Sequence, residues 1–203
     1  MKKIVLLLFV FLQISAFSQK KYTIKEIETS AIDTLFYVKY NQKVLTGVVY
    51  CEYGDMFNVV NGKIEGELKK WYDNGQLHYH EFYKNGKREG NSKIWFQNGQ
   101  LSMDAHYKDG KLNGLCKKWY ENGQIQSEIN YLNDKREGLS TGWFMNGKME
   151  YKVSLVNDEI EGLYQKWFEN GQLELECFVK NGKFVGKYTT WDKKGKIVKE
   201  VVY

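Results

Sequence analysis

Polar and apolar residues alternate through short stretches of this chain. Leu77, Tyr79, Glu81 and Tyr83 share one parity with His78 and His80 between them, and Ile125, Ser127, Ile129 and Tyr131 repeat the arrangement against Gln126 and Glu128. Phe82 is an apolar exception on the second parity. Period-two alternation turns one parity toward a buried face and the other toward water, which predicts antiparallel strands wet on one side.

The alternating stretches recur. All six tryptophans, Trp71, Trp95, Trp119, Trp143, Trp167 and Trp191, stand 24 residues apart, and units open at Gly66, Gly90, Gly114, Gly138, Gly162 and Gly186. The shared frame reads G-x4-W-[YF]-x-N-G-Q-[LI], then the alternating arm, then [ND]-[GD]-K. A fixed period means one supersecondary unit copied and stacked, because a single unit cannot bury its own apolar face.

Two turn signals divide each unit. One is Asn74-Gly75, repeated as Asn98-Gly99, Asn122-Gly123, Asn146-Gly147 and Asn170-Gly171, with Lys194-Gly195 in the last copy; the other is Asn85-Gly86, Asp109-Gly110 and Asn181-Gly182. Asn-Gly accepts the positive φ angles of tight hairpins, so each unit is expected to be a β-hairpin. A three-residue loop Asp73-Asn74-Gly75, a type I turn followed by a left-handed glycine, pairs Trp71 with Leu77 on the buried face. A two-residue loop would pair Tyr72 with Leu77 and turn Trp71 outward; the uninterrupted tryptophan column favours the first version. The predicted fold is all-β, a single-layer antiparallel β-meander or solenoid of 24-residue hairpin repeats.

The unit W-[YF]-x-N-G-Q-[LI] followed by [YF]-x-[ND]-G-K-x-x-G resembles the variant MORN repeat (membrane occupation and recognition nexus) over residues 66–203. The resemblance implies a curved sheet of successive hairpins and carries no catalytic motif. Its better-known members are scaffolds that contact proteins or membrane lipids, and bacterial chains of this variant are often labelled the antitoxin half of a toxin–antitoxin pair. An export signal fits poorly with neutralising a cytoplasmic toxin, and interspersed charges do not supply an obvious basic patch for lipid.

That export signal is residues 1–18: Lys2 and Lys3, an apolar run from Ile4 to Leu12, then small Ala16 and Ser18. The run is too short to span a bilayer comfortably, so it reads as a cleaved signal peptide. No cysteine marks a lipoprotein cut site. The expected location is therefore exported: periplasm, cell envelope or secreted. Residues 19–65 lack the tryptophan but keep Gly47 and Asn61-Gly62-Lys63, which suggests an N-terminal cap with a degenerate repeat, the stretch 34–40 shielding the open edge. Residues 66–203 form the six tandem repeats, the last truncated.

Removing Lys2 and Lys3 takes 30 basic residues to 28 against 25 acidic ones, so the formal charge falls from +5 to +3. Charges of both signs are spread through every unit, which argues against nucleic acid as a partner. Cys51, Cys116 and Cys177 are too far apart along the stack to bridge and read as free, mostly buried thiols.

No catalytic residue, cofactor or metal site is expected. His78 and His80 share the solvent face, but His106 stands one unit on, about 10 Å away, whereas zinc holds its donors about 2 Å from one point. Glu89, Glu137 and Glu161 recur before unit-opening glycines and read as a structural habit. The column Tyr72, Phe96, Tyr120, Phe144 and Phe168 is the candidate binding stripe, for a glycan or an extended peptide; covering a thin sheet is its plain alternative. The expected function is a non-enzymatic protein-interaction module at the cell envelope, its partner another protein. Antitoxin and glycan-binding roles are the alternatives, and a glycan or membrane surface the other candidate partners.

Overall fold

The computed structural model describes residues 19–29, 35–39 and 41–203; the expected leader at 1–18 lies outside the described residues. Successive strands from Gly47–Cys51 to Ile197–Val202 pair antiparallel with the next, giving the expected meander of hairpins.

Local chemistry sets each turn. Gly75 N–H donates to Tyr72 O (2.9 Å) and Tyr72 N–H to Gln76 O (2.8 Å), with Gly75 at φ 81°. This is the three-residue loop expected from Asp73-Asn74-Gly75, and Trp71 does pair with Leu77. The same bonds recur from Phe96 to Asp192, with Gly99, Gly123, Gly147 and Gly171 in the left-handed place. The other turn has both central residues at positive φ, as in Asn85 (51°) and Gly86 (79°), which is the type I′ hairpin whose twist matches its strands. Asn133-Asp134 and Asn157-Asp158 adopt the same turn without glycine, because Asp tolerates the left-handed region.

Each unit-opening glycine marks a bulge. Tyr83 pairs with Arg88 while His80 pairs with Lys93, so the first arm holds extra residues around Glu89-Gly90, and Gly90 sits at φ 81°. A second register shift falls beside each tryptophan, between Lys70 and Trp71 in the first unit. Bulges at fixed places increase the local twist of the ribbon.

The more buried, inner face follows the predicted parity: Leu68, Ser92, Cys116 and Ser140 on first arms lie opposite Glu81, Ala105, Ile129 and Val153. Ser92, Cys116, Ser140 and Ala105 keep part of these two columns small. The six tryptophans depart from expectation, since every one is half-buried. A single layer has no facing sheet to seal a side chain that large.

The sealed hydrophobic cluster is at the N-terminal end, where Tyr22, Leu45, Val49, Phe57, Val59 and Leu68 meet. A second, three-stranded sheet of Ile27–Thr29, Phe36–Val38 and Lys43–Val44 contributes Ile27, Phe36 and Val38 to its cover. The stretch expected to shield the edge thus lies on the face: Phe36–Val38 packs inward, while Thr34 and Tyr40 fall outside the described residues. Lys21–Thr23 takes the edge instead, pairing parallel with Gly47–Cys51.

Candidate functional site

On the outer face, one column of the first arms runs Glu67, Asn91, Leu115, Leu139, Leu163 and Lys187. Its three leucines occupy consecutive units and are 41%, 47% and 40% exposed; Phe178, paired with Leu163, is 45% exposed. Equivalent positions of neighbouring units stand about 10 Å apart, two strand spacings, so the leucines form a regularly spaced row, with Asn130 paired to Leu115 and Ser154 paired to Leu139 on the strands between them.

Several polar side chains on that face are bonded to one another. Lys117 and Glu128 are register partners with Nζ and Oε1 2.7 Å apart, Lys93 and Asp104 are partners at 3.7 Å, and Gln165 donates to Glu176 at 2.7 Å. A row of exposed leucines beside paired charges is a form a contact surface can take. Sequence reading missed it because the leucines fall in the variable x4 stretch, where Glu67, Asn91 and Lys187 interrupt the column. The available signal was leucine recurring immediately after the unit-opening glycine.

The aromatic column Tyr72, Phe96, Tyr120, Phe144 and Phe168 is half-buried throughout. Tyr72 Oη donates to Trp95 O at 2.9 Å and Tyr120 Oη to Trp143 O at 2.8 Å, so two of these rings are tied to the following unit. Tyr72 also stacks on His78, with ring centroids 4.2 Å apart.

Both turn edges carry side-chain ladders. Asn74 Nδ2 donates to Gln97 O, Asn98 to Glu121 O, Asn122 to Met145 O, Asn146 to Glu169 O and Asn170 to Lys193 O, at 2.8 to 3.3 Å. Each asparagine Oδ1 also accepts from the backbone N–H two residues on, as from Gln124 to Asn122 at 3.0 Å. Tyr53 Oη starts the series by donating to Asp73 O at 2.9 Å. On the opposite edge, Glu65, Glu89, Glu137 and Glu161 accept from the turn N–H groups of Asn85, Asp109, Asn157 and Asn181. These glutamates satisfy backbone donors, which is the structural role their recurrence suggested.

Glu81 is a charged residue on the inner face, 4% exposed, in a column that holds Ala105, Val153 and Cys177 in other units. Arg88 Nε lies 3.0 Å from Oε1, Ser92 Oγ donates to the same oxygen at 3.1 Å, and Tyr83 Oη donates to Oε2 at 2.9 Å. Burial, with Glu81 as neighbour, pushes the Tyr83 hydroxyl up to about 12. With both oxygens engaged, this carboxylate fits a structural tie better than a general base.

The histidines have separate engagements: His78 against Tyr72, His80 Nε2 3.7 Å from Glu67 Oε1, and His106 Nδ1 3.0 Å from Asn91 Oδ1. Burial raises the Cys116 and Cys177 thiols above their ordinary value, which keeps them protonated and weakly nucleophilic.

Residues 61–85, 88–109, 112–133 and 160–181 match the MORN repeat variant. No curated protein matches the chain. MORN repeats are non-catalytic modules that mediate contacts with proteins or membrane lipids. The intervening unit, residues 136–157, keeps the same hairpin, bulges and ladders although its turn reads Asn157-Asp158.

Proposed function

The chain is a MORN-repeat protein, and we propose that it is an exported, non-enzymatic interaction module that docks another protein at the cell envelope through its outer leucine column. The observation that carries this reading is the exposure of Leu115, Leu139 and Leu163 in consecutive units, on a face where Lys93 and Lys117 are already paired with Asp104 and Glu128. A partner gains apolar burial along the stripe at about 25 cal/mol per Å² and meets few unpaired charges to desolvate. The leader at residues 1–18 supports the envelope as the place of action.

The test is affinity capture from envelope extract with the mature wild-type chain and with a Leu115→Ser, Leu139→Ser, Leu163→Ser triple variant. A protein that co-elutes with wild type and is lost from the triple variant is the expected result. Equal capture by both removes the leucine column as the docking surface. Retention on envelope polysaccharide that depends on Tyr120 and Phe144 would favour the glycan-binding reading instead.

A further inference from the structure

The inner face is covered at one end of the sheet and open at the other, and the 24-residue period shows that the two places are built alike. At the N-terminal end, the floor comprises Phe57, Val59, Gly62, Ile64 and Leu68. Five periods on, the same columns hold Cys177, Val179, Gly182, Phe184 and Tyr188, which line a hollow of about 520 Å³ together with Tyr164 and Leu175. That volume is within the range of sites that hold a side chain or small ligand.

The N-terminal floor has an occupant from its own chain. Phe36 sits with its ring centroid 5.4 Å from that of Phe57, its N–H donates to Gly62 O at 2.8 Å, and its carbonyl accepts from Leu45 N at 2.8 Å. Leu35 lies against Gly62, close enough that a Cβ there would meet it at 2.9 Å. An extended aliphatic–aromatic pair therefore covers this floor using one backbone hydrogen bond to the turn glycine.

In the units between, the sheet covers itself. Tyr83, Tyr107 and Tyr131 fill the column of Val59, and Arg88 and Arg136 fill that of Ile64. Toward the far end these give way to Leu155 and Val179 in the first column and to Ile160 and Phe184 in the second; Tyr188 and Tyr203 pack against the Phe184 ring, which remains 43% exposed.

We propose that the hollow at Cys177, Val179, Gly182, Phe184 and Tyr188 binds an extended segment of a partner protein bearing adjacent aliphatic and aromatic residues. The segment docks as Leu35–Phe36 docks on the equivalent floor, with a main-chain N–H reaching Gly182 O. The inference rests on the interaction-module reading but places an anchor on the opposite face from the leucine column, so the two fail separately.

The probe is a soluble synthetic peptide with Leu-Phe-Tyr-Val at its centre and polar flanks, followed by fluorescence anisotropy against the mature chain. Val179→Tyr installs the residue that Tyr83, Tyr107, Tyr131 and Tyr203 supply at this column and fills the hollow. Phe184→Ser, at an exposed position, is a second variant that removes one wall without adding bulk. Saturable binding to wild type, weakened tenfold or more in both variants and absent for a Ser-Ser-Tyr-Val peptide, is the expected result, with circular dichroism confirming folded variants. No saturable binding, or equal binding by both folded variants, overturns the inference. Concentration-dependent dimerisation of wild type that Val179→Tyr abolishes would assign the hollow to a second copy and also overturn it. An envelope partner captured equally by wild type and Val179→Tyr would sink this site and leave the leucine-column reading standing.

Discussion

A Cβ added to Gly142 would stand 2.2 Å from Cε1 of Tyr151, its register partner on the next strand. The tyrosine ring occupies the space that Lys70, Ile94, Lys118 and Lys166 fill with their own side chains in other units. Gly142→Ala is therefore expected to destabilise the fold by about 2 kcal/mol through overpacking. The double variant Gly142→Ala, Tyr151→Ser copies the size relation at the Lys118–Ser127 pair and should recover most of that loss in urea unfolding. Additive effects of the two changes would show that the ring and the glycine are not coupled.

Arg88→Met leaves Glu81 buried without its countercharge. Loss of one partner of a buried pair costs about 3 to 5 kcal/mol; Arg88 is 44% exposed, so about 2 kcal/mol is expected. Converting Glu81 to Ala in the same chain removes the stranded charge and installs the residue found at position 105, which should restore stability. Lys117→Ala, which breaks an exposed pair, should cost under about 1 kcal/mol. Thermal melts of the three variants rank these effects.

Asn122→Ala removes the bond to Met145 O and the one accepted from Gln124 N–H, and a loss of about 1 to 2 kcal/mol is expected. Asn122→Asp keeps the acceptor and loses the donor, so its loss should be smaller. Because repeats contact chiefly their neighbours, hydrogen exchange should speed in the loops at 120–124 and 144–148 and stay unchanged near Asn74. Uniform acceleration along the sheet would contradict nearest-neighbour coupling.

Burial first, and the charge of Lys70 second, hold the His78 imidazole below its ordinary value of 6.5. A base with a lower pKa when folded takes its proton more readily when unfolded. Stability is therefore complete above 6.5, declines as pH falls through that value, and levels off below the folded-state pKa. His78→Gln should flatten this step in chemical unfolding followed between pH 5 and pH 8. An unchanged step would assign it to another group.

How much was legible in the sequence follows from the range over which each cause acts. Asp73-Asn74-Gly75 and Asn85-Gly86 specify their turns within a few residues, so hairpins, loop type and the Trp71–Leu77 pairing could be read directly. The glutamates before the glycines were recognisable as structural by recurrence, although their bonds span two turns and their partners were not. Burial of the tryptophans was overestimated, because alternation tells which way a side chain points and not whether anything lies above it. The inward packing of Phe36 depends on contacts with Phe57 and Gly62, more than 20 residues on, which no local pattern encodes. The leucine column was hidden by polar residues at both ends of the same column.

The asparagine bonds all reach forward by a single constant step and the glutamate bonds by another, so the seams between units share one kind of joint, except where Asn113 stands in a glutamate's place and bonds Asn133. Excising or duplicating a whole period would rejoin matching donors and acceptors without redesign. The length of this ribbon, and with it the reach of any surface it displays, can therefore change by gain or loss of copies while the local chemistry stays as it is.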